Sequence, residues 1–458
     1  MLERLLQALK DPNTRRSVFG IAQFSGATFS GKASFDEAHF DGHAWFHKAT
    51  FCGDASFHEA TFTGDAGFGH VTFCGDASFP GATFTAHELG PLACKGQLDL
   101  SGAVFRGPVT IEAAARCLNC RRTRWESAAG MRLRYTTVDL TDALPEVSLS
   151  ITSRPTELEG MDERVREALR SNYALDERDK ERLDEGGKPL VRISSLSGID
   201  AGRLALNDVD LAPCRFTGTV HLDQLSLGHV TFQPSPRVRF HLHRPTLIEE
   251  HHWRASKGKK GWKPVKEDDC EANAGTIAKP SGLAPLYRQL RKALEDSKNQ
   301  PDAAGFYYGE MEMRRNTQHR PLVERFLLRG YWAVSGYGLG ALRALIWLLA
   351  ALVLTVVLLM WVGLPAEPRT KGTVVIAGQK IEMINENPRP GGVAPPYPEG
   401  FTWPRAERAG RIALNSVLFR SAGQGLTVAG TYIEMTCRLV EPVLLALVFL
   451  AVRGRVKR

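Results

Sequence analysis

Catalytic signatures are what this 458-residue chain most lacks. No nucleophile elbow, P-loop, zincin or paired-carboxylate motif can be read in it, so no reaction class has residues to assign. A cysteine framework is missing too. The eight cysteines stand scattered, as in a reducing compartment rather than in a disulfide-stapled secreted domain. The opening MLERLLQALK is too short and too charged for the apolar core of a secretion signal, and none is expected. Positive charge is nearly absent from Gly20 to Gly90, where eight acids face two lysines, although the whole chain carries +8. The basic excess therefore lies elsewhere, much of it beside the apolar runs near the C-terminus.

What the chain has is a ladder of phenylalanines. They fall at Phe24, Phe29, Phe35, Phe40, Phe46, Phe51, Phe57, Phe62, Phe68, Phe73, Phe79 and Phe84, in steps that alternate five and six. A small residue stands two before each from Phe29 on, from Ala27 to Ala82. A five-residue step fits neither a helix nor a plain strand. It fits a chain that turns a corner every few residues and stacks coil on coil, with the small residue and the Phe pointing to one side. The extra residue on every second face, often a Gly-Asp pair such as Gly53-Asp54, predicts a coil of about 22 residues, two of the eleven-residue units. Cys52 should then lie over Cys74, about 5 Å away. Gly is expected at corners for its conformational freedom.

This small-x-Phe unit resembles the pentapeptide-repeat family. The resemblance implies a mainly β fold: a right-handed, four-sided pentapeptide-repeat β-helix, here interrupted by a helical insertion. After Phe84 the pairing continues less regularly at Leu98/Leu100, Ala103/Phe105, Val109/Ile111, Leu133/Tyr135, Val138/Leu140 and Val147/Leu149, with RCLNCRRTRW (116–125) as a basic loop or degenerate coil. The five-step returns at Leu206, Leu211, Phe216, Leu222, Leu227 and Phe232, with Val220 among the partners two before. Either one solenoid is interrupted or two pieces are stacked.

The organisation expected is a capping helix at 1–20, the β-helix at 21–155, a helical insertion at 156–190, a second β-helix block at 191–253 and a flexible basic loop at 254–282. A helical hairpin and an interfacial helix follow at 283–340. Transmembrane helices are expected at 341–364 and 431–453, where uncharged or nearly uncharged runs are long enough to cross a bilayer. Between them lies an extracytoplasmic loop, 365–430, with a possible hairpin at Thr373–Met383, and a basic tail, 454–458, ends the chain. Arg325, Arg329 and Arg343 before the first span, and RGRVKR at the end, place both termini in the cytoplasm. FYYGEMEMRR (306–315), the SGYG turn, the two spans and the basic end also resemble a group of actinobacterial membrane-anchored pentapeptide-repeat proteins.

Candidate chemistry is sparse. Cys117 and Cys120 form a single CxxC, short of the four ligands of structural zinc. His241, His243, His251 and His252 make a histidine-rich stretch whose simplest reading is a solvated loop. The Gly336–Ala341 stretch matches the spacing of a dinucleotide fingerprint but lacks the strand before it, and reads as a hinge. Glu434, Arg438 and Glu441 are ionisable residues in the second span, a functional signal or a set pairing with itself. Asn415–Gly430 sits where a pore segment would, without the carbonyl array of a selective filter. No cofactor is expected. The partners expected are the lipid bilayer and a cytoplasmic protein, with nucleic acid not expected. The residues favour a non-catalytic cytoplasmic scaffold, with a sensor or degenerate two-span channel as the alternative and an enzyme behind both; the family resemblance adds a DNA-mimicking topoisomerase modulator, which the acidic repeat surface allows.

Overall fold

Strands only two residues long, each followed by a tight turn, carry the chain from Val18 to Phe84. They pair in parallel with the strands one coil away: Thr28 with Thr50 and Thr50 with Thr72, Ala33 with Ala55 and Ala55 with Ala77. The step is 22 residues, as the repeat predicts. Phe51 pairs with Phe73, and the Cys74 amide donates to the Phe51 carbonyl at 2.8 Å, so Cys52 and Cys74 hold equivalent positions on successive coils. The computed structural model describes residues 7, 9–11, 16–85, 87–158, 160–173, 191–236, 243–262, 278–317, 321–365, 371–376, 379–384, 401–418 and 426–456. Most of the expected N-terminal capping helix and His241 lie outside them. The first solenoid strand is Val18–Phe19, ahead of the boundary expected at residue 21.

The coil spacing stacks the rings into four ladders. Phe29, Phe51 and Phe73 form one, with centroids 4.5 and 4.9 Å apart. Phe35, Phe57 and Phe79 form the second, Phe40, Phe62 and Phe84 the third, and Phe24, Phe46 and Phe68 the fourth. Neighbouring ladders meet edge to face, as Phe46 and Phe57 do at 5.6 Å and 90°. Both are favourable arrangements of aromatic quadrupoles. Phe35 to Phe84 are buried, while Phe24 and Phe29 at the first coil are half-buried.

The corners correct one expectation. The left-handed conformation recurs every eleven residues, at Gly26, Glu37, Lys48, Glu59, His70 and Gly81, and four of these six are not glycine. The glycines of the Gly-Asp pairs are required by close stacking instead. A Cβ on Gly64 would stand 2.5 Å from the Gly42 carbonyl oxygen, and one on Gly53 2.9 Å from the Gly31 carbonyl carbon.

Beyond Phe84 the coil shortens. Val71 pairs with Leu92, 21 residues on, and Val109 with Ala129, 20 on. Rings give way to Leu, Ile, Val and Met, and the third ladder ends with Phe105 under Trp125. RCLNCRRTRW is thus neither loop nor degenerate: strands Val109–Asn119 and Arg124–Trp125 run through it. Two expected inward pairs shift. Val147 is exposed, and the inward pair is Leu149 with Ile151; Tyr135 packs outside the core. Val220 is exposed as well.

One solenoid runs through the insertion. Thr136 pairs with Val191 and Leu149 with Leu204, both in parallel. Helix α1 (Glu163–Tyr173) lies along the side of the stack, where its Val165, Leu169 and Tyr173 cover Ala93, Ala114 and Tyr135. Arg134 donates to the carbonyls of Arg154 and Pro155, and Arg192 to that of Tyr173, fastening the excursion at both ends. Leu206, Leu211, Phe216, Leu222 and Leu227 are buried, and Phe232 is half-buried against the core.

Three helices close the far end: α2 (Ile248–Ser256), α3 (Pro280–Asp296) and α4 (Gln300–Asn316). The α3–α4 hairpin breaks where Asn299 caps α4, its side chain accepting from the Asp302 amide, with Pro301 in the first turn. Leu283, Leu290, Leu294, Ala303, Phe306 and Met313 join the solenoid core. Part of the flexible loop expected at 254–282 is helix, since α2 runs to Ser256 and α3 starts at Pro280, and residues 263–277 lie outside the described residues.

Met1–His319 and Arg320–Arg458 are two compact units. The second contains α5 (Leu322–Ser335), a turn with Gly336, Tyr337 and Gly338 all left-handed, and α6 (Ala341–Leu358), which ends in a π-helical turn. Strands Lys371–Ile376 and Gln379–Ile384 form the antiparallel hairpin expected there. Helices α7 (Trp403–Leu418) and α8 (Val428–Val456) follow. Ala341–Gly363 and Val428–Arg453 are long and apolar enough to cross a membrane.

Candidate interaction surfaces

The outer wall of the ladder coils is polar, but much of its acid is structurally engaged. Asp54 accepts the Asp76 amide at 3.0 Å and Asp76 accepts the Gln97 amide at 2.8 Å, each reaching across one coil. Asp36 accepts from Ser34, Ser56 and the His58 amide. Partial burial opposes its charge, yet these hydrogen bonds prevail and hold it below the usual carboxylate range. The outward histidines sit beside other acids: His39 is 2.8 Å from Asp41 and His43 3.6 Å from Asp65.

Cys117 and Cys120 do not form a metal pair. Cys117 is disulfide-bonded, whereas Cys120 is a free thiol, fully buried and pushed up by desolvation. Among the described residues no cluster of three or more His, Cys, Asp or Glu could hold a metal ion.

The histidine-rich stretch corrects the sequence reading most. Its described part is not a solvated loop. His243 is exposed, but Glu249, Glu250, His251, Trp253 and Arg254 on α2 are buried. His251 pairs its Nε2 with the Thr246 hydroxyl at 2.8 Å and packs on Trp262, and burial holds it down to about 4. His252 stays half-buried. Glu250 is fully buried at the centre of an ion network. Both its oxygens accept from Arg244 at 2.7 Å, one accepts Arg254 Nε at 2.5 Å, and the Tyr287 hydroxyl donates to it. Burial opposes its charge, but Arg244 and Arg254 outweigh burial and bring it to about 2. Arg254 continues to Glu312 at 3.1 Å, and Glu312 to Arg315 at 2.9 Å. Glu249 turns to the solenoid, where it accepts the Phe216 and Thr217 amides. Sequence reasoning missed this network because buried charge looks like solvated charge. The one available signal was the run of four consecutive ionisable residues, Glu249 to His252, between Leu247 and Trp253.

In the second unit, Glu434 and Arg438 pair at 2.7 Å along α8, the expected self-pairing. Glu441 does otherwise: it accepts from Thr355 on α6 at 2.8 Å and is buried. Gly363 and Gly430 bring the same two apolar segments into backbone contact, for a Cβ on Gly430 would collide with the Gly363 carbonyl. Arg405 of α7 donates to the Pro365 and Leu364 carbonyls at 2.9 and 2.8 Å, capping the end of the first apolar helix. SGYG lies between two helices with no strand before it, so it makes a turn and not a dinucleotide fingerprint.

The family described as pentapeptide repeats (9 copies) matches residues 17–61 and 48–87. No curated protein and no solved structure gives a significant match. The matched residues are those of the stacked Phe ladders, and the register places them at the head of a longer parallel β-solenoid. Residues 17–87 thus carry pentapeptide repeats, and these open that solenoid.

Proposed function

We propose that this protein is a membrane-anchored scaffold: its solenoid lies in the cytoplasm and presents a rigid wall to a protein partner. The observation that carries the reading is the character of the two apolar helices. Only 22% and 11% of their most apolar windows are buried, unlike the core helices of a soluble domain. Leu345, Val353, Leu354, Leu439, Val443 and Phe449 face outward as a lipid-facing surface requires. Arg325, Arg329, Arg343 and the basic end favour an orientation with both large ends inside the cell. The solenoid core is filled by side chains, so its outer face is left to do the recognising.

The test is an affinity pulldown from membranes with the detergent-solubilised full chain. Enrichment of a cytoplasmic protein that binds the full chain, and loses binding when outward side chains of the ladder coils are changed, supports the scaffold. Recovery of lipid alone counts against it. A second reading, a sensor or channel-like module, is favoured by the Thr355–Glu441 bond between the two apolar helices. Planar-bilayer recording addresses it, and silent membranes would remove it.

A further inference from the structure

One ladder of rings carries a column of chemistry on its outside. Phe29, Phe51 and Phe73 stack inward, and the residues after them, Ser30, Cys52 and Cys74, stand on the outer wall. Phe73 pairs with Cys94, so Lys95 continues the column on the next rung. Cys52 is exposed, Cys74 is half-buried, and both are free thiols. Phe51 pairs with Phe73 in register, which sets the Cα atoms of Cys52 and Cys74 one rung apart, about 4.8 Å. A disulfide accepts Cα separations of about 4.4–6.8 Å. The backbones stay close at the next residue, where a Cβ on Gly75 would meet the Gly53 carbonyl carbon at 3.1 Å.

The repeat also indicates which way the thiol lies. Half a coil earlier the same position holds Asp41, Thr63 and Thr85, after Phe40, Phe62 and Phe84. The backbone is equivalent, for the Thr63 amide donates to the Phe40 carbonyl at 3.0 Å as the Cys74 amide does to that of Phe51 at 2.8 Å. There the Thr63 hydroxyl reaches back to the Asp41 carbonyl at 3.0 Å, and the Thr85 hydroxyl to that of Thr63 at 2.7 Å. A side chain at this position runs along the stack toward its equivalent on the preceding coil. By the same rule Cys74 Sγ is directed at Cys52.

The surroundings set an order of reaction. Desolvation raises the Cys74 thiol above its ordinary range, Cys52 and Asp162 raise it further, and Lys95 opposes them. Cys52 is the more accessible thiol and meets a reagent first. Once its sulfur is bonded, its charge no longer acts on Cys74, and Lys95 still favours the Cys74 thiolate.

We propose that Cys52 and Cys74 are a redox modification site, a dithiol that closes to a disulfide by exchange with a small-molecule disulfide. The Cys52 thiolate attacks one sulfur of the reagent, breaks its S–S bond and expels a small thiolate. The Cys74 thiolate then attacks the Cys52 sulfur of the mixed disulfide and expels the second. Two protein thiols are oxidised, and the reagent leaves as two small thiols carrying the two protons released. Excess small thiol reverses both steps. The bond staples two successive coils in the middle of the ladder. It is independent of the scaffold reading, since neither the partner nor the orientation in the membrane enters the argument.

The test is incubation of the reduced full chain, in neutral-detergent micelles, with oxidised glutathione, followed by alkylation and peptide mass mapping. The expected result is loss of both thiols together into one peptide linked through Cys52 and Cys74, restored by reduced glutathione. Cys52→Ser and Cys74→Ser should each form no linked peptide, and Cys74→Ser should instead hold a stable glutathione adduct at Cys52. Both substitutions lie on the outer wall, and far-UV dichroism checks that the variants fold. Any outcome in which the two wild-type thiols do not disappear into that linked peptide overturns the proposal, whether both keep glutathione, one alone reacts or neither does.

Discussion

Between Phe24 and Phe105 the solenoid is filled by rings stacked in register, and its charged groups lie on the outside. In the cap beyond Val230 the arrangement inverts: carboxylates and guanidiniums are buried and aromatic rings line the wall around them. The two regions bury chain by different physics. The ladder gains from apolar area and ring contacts, terms that repeat identically from coil to coil. The cap depends on buried charges that are tolerable where they are paired, as Glu250 is with Arg244 and Arg254. A loss in the ladder is therefore local and graded, whereas a loss in the cap leaves a buried charge exposed to nothing that can solvate it.

The sharpest break of this contrast is Glu250→Ala. It strands Arg244 and Arg254 in the interior, and a loss of about 3–5 kcal/mol is expected in denaturant unfolding of the full chain. A loss below about 1 kcal/mol would erase the distinction between cap and ladder. Phe57→Ala removes one ring from the middle of its stack and should cost about 3–4 kcal/mol, mostly as a cavity.

Acid should separate the regions as well. His251 is held down to about 4 from an ordinary 6.5, so the unfolded chain binds more protons between those values. The stability this confers is present above pH 6.5 and is lost as pH falls through about 4, an effect of about 3 kcal/mol at most. Glu250, ordinarily 4.5 and here about 2, extends the loss from pH 4.5 downward. Glu249, raised by burial, acts in the opposite sense, contributing below pH 4.5 and less as pH rises. Hydrogen exchange should show the α2–α4 amides opening before the ladder amides on acidification, and His251→Gln should flatten the upper part of that profile.

Smaller effects refine the comparison within the solenoid. Gly64→Ala drives a methyl against the Gly42 carbonyl and should cost about 1–3 kcal/mol, measured by thermal unfolding, although its backbone is not left-handed. Val147→Ser and Val220→Ser, at exposed positions that the five-step would place near the core, should stay within about 0.5 kcal/mol.

The ladder was legible because its period is strict. An unbroken eleven-residue unit dictates coil length, register and the stacking of Phe51 over Phe73 by spacing alone. Legibility faded when the coil shortened to 20 residues, because the pairing then drifted: Val147 and Tyr135 keep the spacing yet face outward. Trp125 continued a ladder from inside a stretch that basic residues made look like a loop. The cap was barely legible as a buried site. Nothing in HLHRPTLIEEHHWR distinguishes Glu250, held by two arginines and a tyrosine, from a glutamate in water. Their pairing depends on Tyr287 and Glu312, far along the chain.

The insertion has a consequence for how such a chain can change. One coil passes from Leu133 to Thr136 through the corner Arg134–Tyr135, and the next passes from Ser153 to Val191 through residues 154–190. A two-residue bend and a detour of 37 residues thus join the same pair of rungs, and the rungs above and below keep their register. The corner is a graft point. Any module whose ends lie close together could be spliced there without disturbing the stack, with Arg134 and Arg192 as ready-made clasps at its two seams.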